Sequence, residues 1–268
     1  MTETVSVCIP AYNAAKFLKQ TIESVLGQTY SNIQLIVVDN ASTDETREIV
    51  RTFKDDRITY VRNPKTLPAH ANWTVATSFA TGEWTKLLCA DDVLDPECLE
   101  KSLIMASENP TAGVVAGGRD VINARGQVVL SLRKQPNVQS LDHQDLVEAV
   151  IATGTNPIGE SLCLMWKSEL TTQVGPFSSR WKYFIDLDYW LRLARHSEIR
   201  VGDWKAGSFR ISNTSWTASI GLGSVREANE FFSQHESFQE VSRFRTVQAV
   251  LTASARSVAR ETISRVRS

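Results

Sequence analysis

The sequence predicts an α/β protein built on a doubly wound, mostly parallel sheet flanked by helices. Three observations lead there. Short apolar, β-rich runs alternate with segments of helical periodicity through the first ~95 residues. The run over 33–38 (IQLIVV) is nearly all apolar, as a parallel strand buried on both faces requires. Acidic residues, Asp39 and Asp91-Asp92, stand where two of these runs end, and open α/β sheets bind ligands at the carboxyl ends of their strands.

In chain order, residues 5–9 read as a first strand stopped by Pro10, with Asn13 as the cap of a helix whose Phe17, Leu18, Ile22, Val25 and Leu26 fall at helical spacing. The second strand ends at Asp39. Ser42-Thr43-Asp44-Glu45 then has the spacing of a capping box, Ser42 as N-cap and Glu45 at the third helical position, before a helix carrying Ile49, Val50 and Phe53. Residues 58–61 form a third strand, 73–79 a helix broken by Gly82, and 87–90 a fourth strand. Beyond it come a helix over 96–108, an extended segment over 113–121 and a hairpin partner over 128–132 after the turn Asn123-Ala124-Arg125-Gly126. Helices follow over 141–152 and 185–197, the second with Leu187, Trp190, Leu191 and Ala194 on one face, and the last ~40 residues are helical in pattern.

Composition narrows the function by exclusion. In 268 residues, 29 Lys+Arg against 30 Asp+Glu leave no global field that would favour nucleic acid. Cys8, Cys89, Cys98 and Cys163 are too dispersed for zinc or a redox motif and read as reduced thiols, the form that suits the cytoplasm. Neither a leader peptide nor a run of about 18 apolar residues is expected from the pattern. G-x-S-x-G, P-loop, G-x-G-x-x-G and H-E-x-x-H motifs are all missing, which sets aside the corresponding hydrolases, kinases, dehydrogenases and metalloproteases. His70, His143, His196 and His235 are scattered and receive no role.

The carboxylates carry the remaining chemistry. Asp91-Asp92 serve either as a helix-start pair or as ligands of a hard divalent cation that bridges to phosphates; Asp95-Pro96 already supply a helix start. Asp39 either caps its local turn or accepts hydrogen bonds from a nucleotide base or ribose. Asp186 and Asp188 are first-turn partners of the helix dipole, Asp188 paired with Arg192 at i, i+4, or one of them is a general base.

Taken together, VSVCIPAYNAAKFLKQTIESVLGQTYSNIQLIVVDNASTDET, ANWTVATSFATGEWTKLLCADDVLDP, VGPFSSRWKYFIDLDYWLRLAR and SFRISNTSWT resemble the family 2 glycosyltransferases of the GT-A fold, over roughly residues 4–217. The resemblance implies a GT-A domain over 1–225, with a nucleotide-sugar half over about 1–95 and an acceptor half over about 96–225, followed by a C-terminal helical extension over 226–268. It implies that Pro10, Ala11, Tyr12 and Asn13 line the nucleotide, that Asp39 meets the base, and that Asn40 belongs to the turn that follows it. Asp92 and Asp91 correspond to the end of the D-x-D element that binds Mg²⁺ or Mn²⁺ and ribose. Arg210 lies near the diphosphate, and Asp186 is the general base of an inverting transfer, with Asp188 as its fallback. Cys89, Ile185 and Ser212 depart from the family pattern, where Asp, Glu and His are frequent.

The implied reaction moves a sugar from a nucleoside diphosphate, uridine diphosphate by family weight, to a hydroxyl of a glycan or lipid-linked acceptor. The competing enzyme, a sugar-1-phosphate nucleotidyltransferase, would open with a Gly-rich, Arg-containing loop that IPAYNAA does not resemble. A nucleotide-sugar-binding protein without catalysis is the reading that the three departures favour. The tail from Arg243 holds Arg243, Arg245, Arg256, Arg260, Arg265 and Arg267 against Glu261 alone, so it either lies on anionic lipid at the cytoplasmic face of a membrane or packs on the domain or on a second subunit of a homo-oligomer.

Overall fold

Residues 2–132, 139–212, 223–242 and 244–253 are described in the computed structural model. Its first half is a repeating β-α unit: β1 (Val5–Ala11), α1 (Leu18–Leu26), β2 (Ile33–Asp39), α2 (Thr46–Thr52), β3 (Ile58–Arg62), α3 (Ala69–Ser78) and β4 (Trp84–Leu87). These four strands are all parallel, in the order β3-β2-β1-β4. Then follow β5 (Val93–Leu94), α4 (Cys98–Glu108), β6 (Ala112–Ile122), β7 (Val128–Leu132), β8 (Gln139–Leu141), α5 (His143–Thr153), β9 (Leu164–Lys167), α6 (Glu169–Val174), α7 (Ile185–Ala194), β10 (Glu198–Arg210) and α8 (Gly223–Gln234). Residues 244–253 are also helical.

The sheet continues from β4 through β9, β6 and β10 to β5, with β7 beside β6 and β8 beside β10. It is mixed: β9 runs antiparallel to both β4 and β6, whereas β10 is parallel to β6. The parallel pattern expected from the first ~95 residues is present, and the later strands extend that sheet.

Three local expectations are corrected. Pro10 does not end β1, because pairing with β2 runs on to Ala11↔Asp39. It ends only the ladder to β4: the Leu88 N–H donates to the Cys8 carbonyl at 2.9 Å, and Pro10 has no N–H for the next rung. Asn13 does not cap α1, which starts at Leu18 without a side-chain cap. Asn13 is left-handed (φ 46°) and its Oδ1 accepts the Thr43 N–H at 2.9 Å. The Ser42–Glu45 capping box does not form either, since the Ser42 hydroxyl is occupied by the Asn13 N–H at 2.9 Å and α2 begins after Glu45. Both side chains stitch the β1 loop to the β2 loop instead of starting helices.

The helix α7 is anchored by aromatic packing. Tyr189 stacks on Phe177 with centroids 4.0 Å apart, Trp166 lies 5.7 Å from both Tyr189 and Trp190, and all four rings are buried. Burying such side chains contributes roughly 1.5–3 kcal/mol each. Its first turn, which bears Asp186, is thereby held against the sheet. Phe231 of α8 stacks on Phe184 just before α7, at 4.5 Å.

Candidate active site

The β1 and β2 loops build one wall of a crevice at the strand ends. Beyond the buried Ala11, Tyr12 is 54% exposed and Asn13 is exposed. The backbone of this loop is fixed by the neighbouring β2 loop and the start of α2: the N–H groups of Asn13, Ala14 and Ala15 donate to Ser42 Oγ, Thr46 Oγ1 and Asp44 Oδ2 at 2.9, 2.8 and 2.9 Å. A loop tied down in this way loses little further entropy when a ligand lies on it.

Asp39 is fully buried, and both of its oxygens are engaged. Oδ1 accepts the Ser42 N–H at 2.8 Å, and Oδ2 accepts the Tyr60 hydroxyl at 2.7 Å and pairs with Arg62. Burial pushes its pKa up, but the hydrogen bonds from Ser42 and Tyr60 and the Arg62 charge outweigh burial and leave it below the ordinary carboxylate range. Asn40 turns inward. Its Nδ2 donates to the Leu67 carbonyl at 2.8 Å and its Oδ1 accepts Asn63 Nδ2 at 2.9 Å, which in turn donates to Asn72 at 2.9 Å. This buried amide chain shapes the loop before α3.

The turn after β4 carries the acidic pair. Asp92 is fully buried; its Oδ1 accepts the Arg210 N–H at 2.9 Å, while its Oδ2 is buried with no hydrogen-bond partner among the described residues. Asp91 is half-buried, and its carbonyl accepts Arg210 Nε at 2.8 Å. Burial pushes both carboxyl pKa values up, Asp92 most and further so by the charge of Asp91, while Arg210 pulls against burial at both. The Arg210 guanidinium also donates to the Asn123 carbonyl (3.2 Å) and Gln20 Oε1 (2.6 Å) and lies over the Phe17 ring at 4.4 Å. A buried positive charge held mostly by neutral oxygens thus stands beside the acidic pair.

The donor set suits a hard divalent cation. No cluster of three or more metal-ligating side chains exists among the described residues. Asp92 Oδ2 nevertheless lacks a partner, and one or two carboxylates completed by substrate phosphates and water is the way Mg²⁺ is commonly held. Cys89 Sγ lies 3.6 Å from Ser161 Oγ, and burial followed by the charges of Asp92 and Asp91 pushes its thiol pKa well up.

Across the crevice, Asp186 is half-buried on the first turn of α7, accepting the Leu187 N–H at 2.7 Å and Asn156 Nδ2 at 3.2 Å. Burial, then the charge of Glu160, raise its pKa to about 7 against those two hydrogen bonds. Glu160 is itself paired with Arg119 and raises the Asp92 pKa as well. Asn156 accepts from Gly159 N (3.1 Å) and donates to Gly159 O (2.6 Å). Gly159 has φ +98°, and a Cβ there would stand 2.5 Å from Cys163 Sγ, so only glycine fits this turn. Asp188 points elsewhere, to Arg192 (2.8 Å) and His235 (3.4 Å), with both oxygens in contact.

In the sequence alone Asn156 and Glu160 belong to a stretch rich in Gly, Asn and Pro over 153–161, and Tyr60, Arg62, Arg119 and Gln20 are not singled out by any motif. For Arg62 a signal existed, since a basic residue ends β3 in register with Asp39.

An open α/β sheet with an acidic pair, a buried arginine and a further carboxylate gathered beyond its strand ends has the architecture of the GT-A fold. Residues 6–159, more than half the chain, match the family described as Glycosyl transferase family 2, and the chain belongs to that family. It is 34% identical over 119 residues to glycosyltransferase GlyG of Streptococcus pneumoniae, covering 44% of this chain and 39% of that protein. Over 90 residues it is 39% identical to the Escherichia coli UDP-Glc:alpha-D-GlcNAc-diphosphoundecaprenol beta-1,3-glucosyltransferase WfaP, covering 34% of this chain and 36% of that protein. The matches thus span less than half the length of either relative. In fold it is similar to Staphylococcus (S. aureus) TarS in complex with UDP-GlcNAc, with TM-score 0.66, 18% identity, and coverage of 98% of this chain and 74% of that one. The mannosyltransferase PcManGT from Pyrobaculum calidifontis, in complex with GDP-Man and Mn2+, gives TM-score 0.65 at 17% identity, covering 100% of this chain and 76% of that one.

Proposed function

We propose that the chain transfers a sugar, with inversion, from a uridine diphosphate sugar to a hydroxyl of a glycan or lipid-linked acceptor in polysaccharide assembly, at the cytoplasmic side of a membrane. The observation that carries this reading is geometric: the loop over 156–161 touches both sides, with Ser161 Oγ 3.6 Å from Cys89 Sγ in the turn of the acidic pair and Asn156 Nδ2 donating to Asp186 at 3.2 Å. The donor half is about 1–95 and the acceptor half about 96–225; of the extension assigned to 226–268, residues 243 and 254–268 lie outside the described residues. WfaP, named for a UDP-Glc donor and a diphosphoundecaprenol-linked acceptor, supports the choice of substrates.

In this mechanism the exposed Tyr12 and Asn13 and the tied-down loop behind them seat the nucleotide. Asp39, with Tyr60 and Arg62, faces the base, and Arg210 sets positive charge near the diphosphate. Asp91 and Asp92 hold Mg²⁺ or Mn²⁺, which when bound offsets the charge of the leaving diphosphate. Asp186 takes the proton of the acceptor hydroxyl as it attacks the anomeric carbon from the face opposite the nucleotide. A base with a pKa near the operating pH combines a substantial ionised fraction with useful basicity. That poise favours an active enzyme over a bare binding protein despite Cys89, Ile185 and Ser212. Asp186 serves as base and not Asp188, whose oxygens are committed to Arg192 and His235.

A thermal-shift screen of UDP-glucose, UDP-GlcNAc and GDP-mannose with and without Mn²⁺ tests the donor, because a ligand of the native state raises apparent stability. A Mn²⁺-dependent rise with a UDP sugar is expected. Transfer to a diphosphate-linked GlcNAc acceptor by wild type and not by Asp186→Asn completes the test; full activity of that variant would overturn the assigned base.

A further inference from the structure

The helix over residues 244–253 is amphipathic in an inverted sense. Its small residues face the protein: Ala249 and Ala253 are buried, against Gly154 at the end of α5, where a Cβ would lie 2.7 Å from the Ala249 carbonyl. Its large apolar residues face outward. Phe244, Val247 and Leu251 are 79, 57 and 65% exposed, and their i, i+3, i+7 spacing sets them in one stripe roughly opposite the two alanines. Arg245, on the flank, is paired with Glu148 of α5, which fixes the rotation of the helix on the domain. A helix that only packs on its domain would turn its large apolar residues inward and leave the outer face polar.

Charge identifies the occupant of that stripe. The chain that follows directly, residues 254–268, contains Arg256, Arg260, Arg265 and Arg267 against the single acid Glu261 and lies outside the described residues. A protein partner of this overall near-neutral chain's own kind would bring no excess of anionic groups, whereas an anionic bilayer offers an apolar layer for the stripe and negative headgroups for the arginines in one surface. No described helix is long and apolar enough to cross a membrane, so the contact is peripheral. We propose that the stripe Phe244, Val247 and Leu251 is a docking surface for an anionic lipid membrane.

The test is flotation of the full chain with vesicles of phosphatidylglycerol and phosphatidylcholine in equal parts, against vesicles of phosphatidylcholine alone. The expected result is recovery with the anionic vesicles and about tenfold less with the neutral ones. Phe244→Gln/Val247→Gln/Leu251→Gln keeps good helix formers at exposed positions and should lower recovery about tenfold without moving the thermal midpoint. Arg256→Gln/Arg260→Gln/Arg265→Gln/Arg267→Gln should lower it similarly. The other exposed apolar strip, on β7, provides the control: Val128→Ser/Leu130→Ser should float like wild type.

Failure of wild type to float, undiminished recovery of either the helix or the arginine variant, or loss confined to the β7 variant would each overturn the proposal. So would light scattering that finds a wild-type dimer and a monomeric helix variant, which would give the stripe to a second copy. Flotation reads binding and not transfer, so none of these outcomes bears on the assigned reaction.

Discussion

The carboxylate of Glu227 in α8 accepts the backbone N–H groups of Tyr183 at 2.6 Å and Phe184 at 3.1 Å, two residues before the turn that carries Asp186. A side chain beyond the family-matched stretch thus caps the approach to the proposed base. Glu227→Ala leaves two donors without their acceptor, which costs about 1–3 kcal/mol. The Gln variant keeps an acceptor oxygen and should lose less. If Asp186 depends on this cap, transfer by the Ala variant should fall more than its thermal midpoint explains, with partial recovery in Gln; a fall shared equally by both variants would restrict Glu227 to charge.

The role proposed for Asp186 also connects catalysis to stability. Its folded-state pKa is raised to about 7 from the model-compound value of 3.8, so the native state binds a proton that the unfolded chain releases. The stability this proton contributes is present below pH 4 or so and is lost as pH rises through about 7. Asp186→Asn should therefore match wild type near the acid end and exceed it above neutrality, by about 1–2 kcal/mol after allowing for solvent around a half-buried group. Chemical denaturation of both proteins between those limits gives the difference directly. Transfer should fall about 10²–10⁴-fold in the same variant, the usual contribution of a general base.

Glu160 is the charge that adds to burial in raising the Asp186 pKa. Removing it in Glu160→Gln leaves the Arg119 cation less compensated, which further favours ionised Asp186. The acidic limb of the kcat/KM profile should move down by up to about one pH unit. An unmoved limb accompanied by a lower maximum would instead give Glu160 a direct part in acceptor binding.

The strand-end acids were legible in the sequence because two local patterns coincide there: an apolar run that must be a buried strand, and a carboxylate where the run stops. Asp39, the last residue of β2, needed nothing more; the strand expected over 87–90 instead runs over Trp84–Leu87, and Asp91-Asp92 lie in the turn between β4 and β5. The caps were misread because their competitors are distant in sequence. Ser42 has the spacing of a helix cap, but its hydroxyl is taken by Asn13, 29 residues away, and nothing local announces that contact. Asn40 looked like part of a nucleotide loop, and its amide is spent on Leu67 and Asn63. Glu160 and Arg119 likewise become partners only when β6 and the loop before β9 meet. The choice between Asp186 and Asp188 follows the same rule, since His235, which reaches Asp188, lies in the segment after α8.

Cys89 offers the sharpest test of the acidic crevice. It sits within the field of Asp91, Asp92 and Asp186, three residues before Asp92, whose Oδ2 has no hydrogen-bond partner among the described residues. Cys89→Asp adds a third carboxylate to that field. Without metal it should destabilise by about 1–3 kcal/mol, because a buried acid beside like charges either stays protonated or repels them. With Mn²⁺ and UDP the cost should shrink, and the Mn²⁺-induced rise in thermal midpoint should exceed that of wild type, since a cation bound to the native state stabilises in proportion to the logarithm of its occupancy ratio. Asp91→Asn and Asp92→Asn in the same series should abolish the rise. Equal destabilisation of Cys89→Asp with and without Mn²⁺ would show that position 89 faces away from the cation, and would leave Asp91 and Asp92 as its only carboxylate ligands.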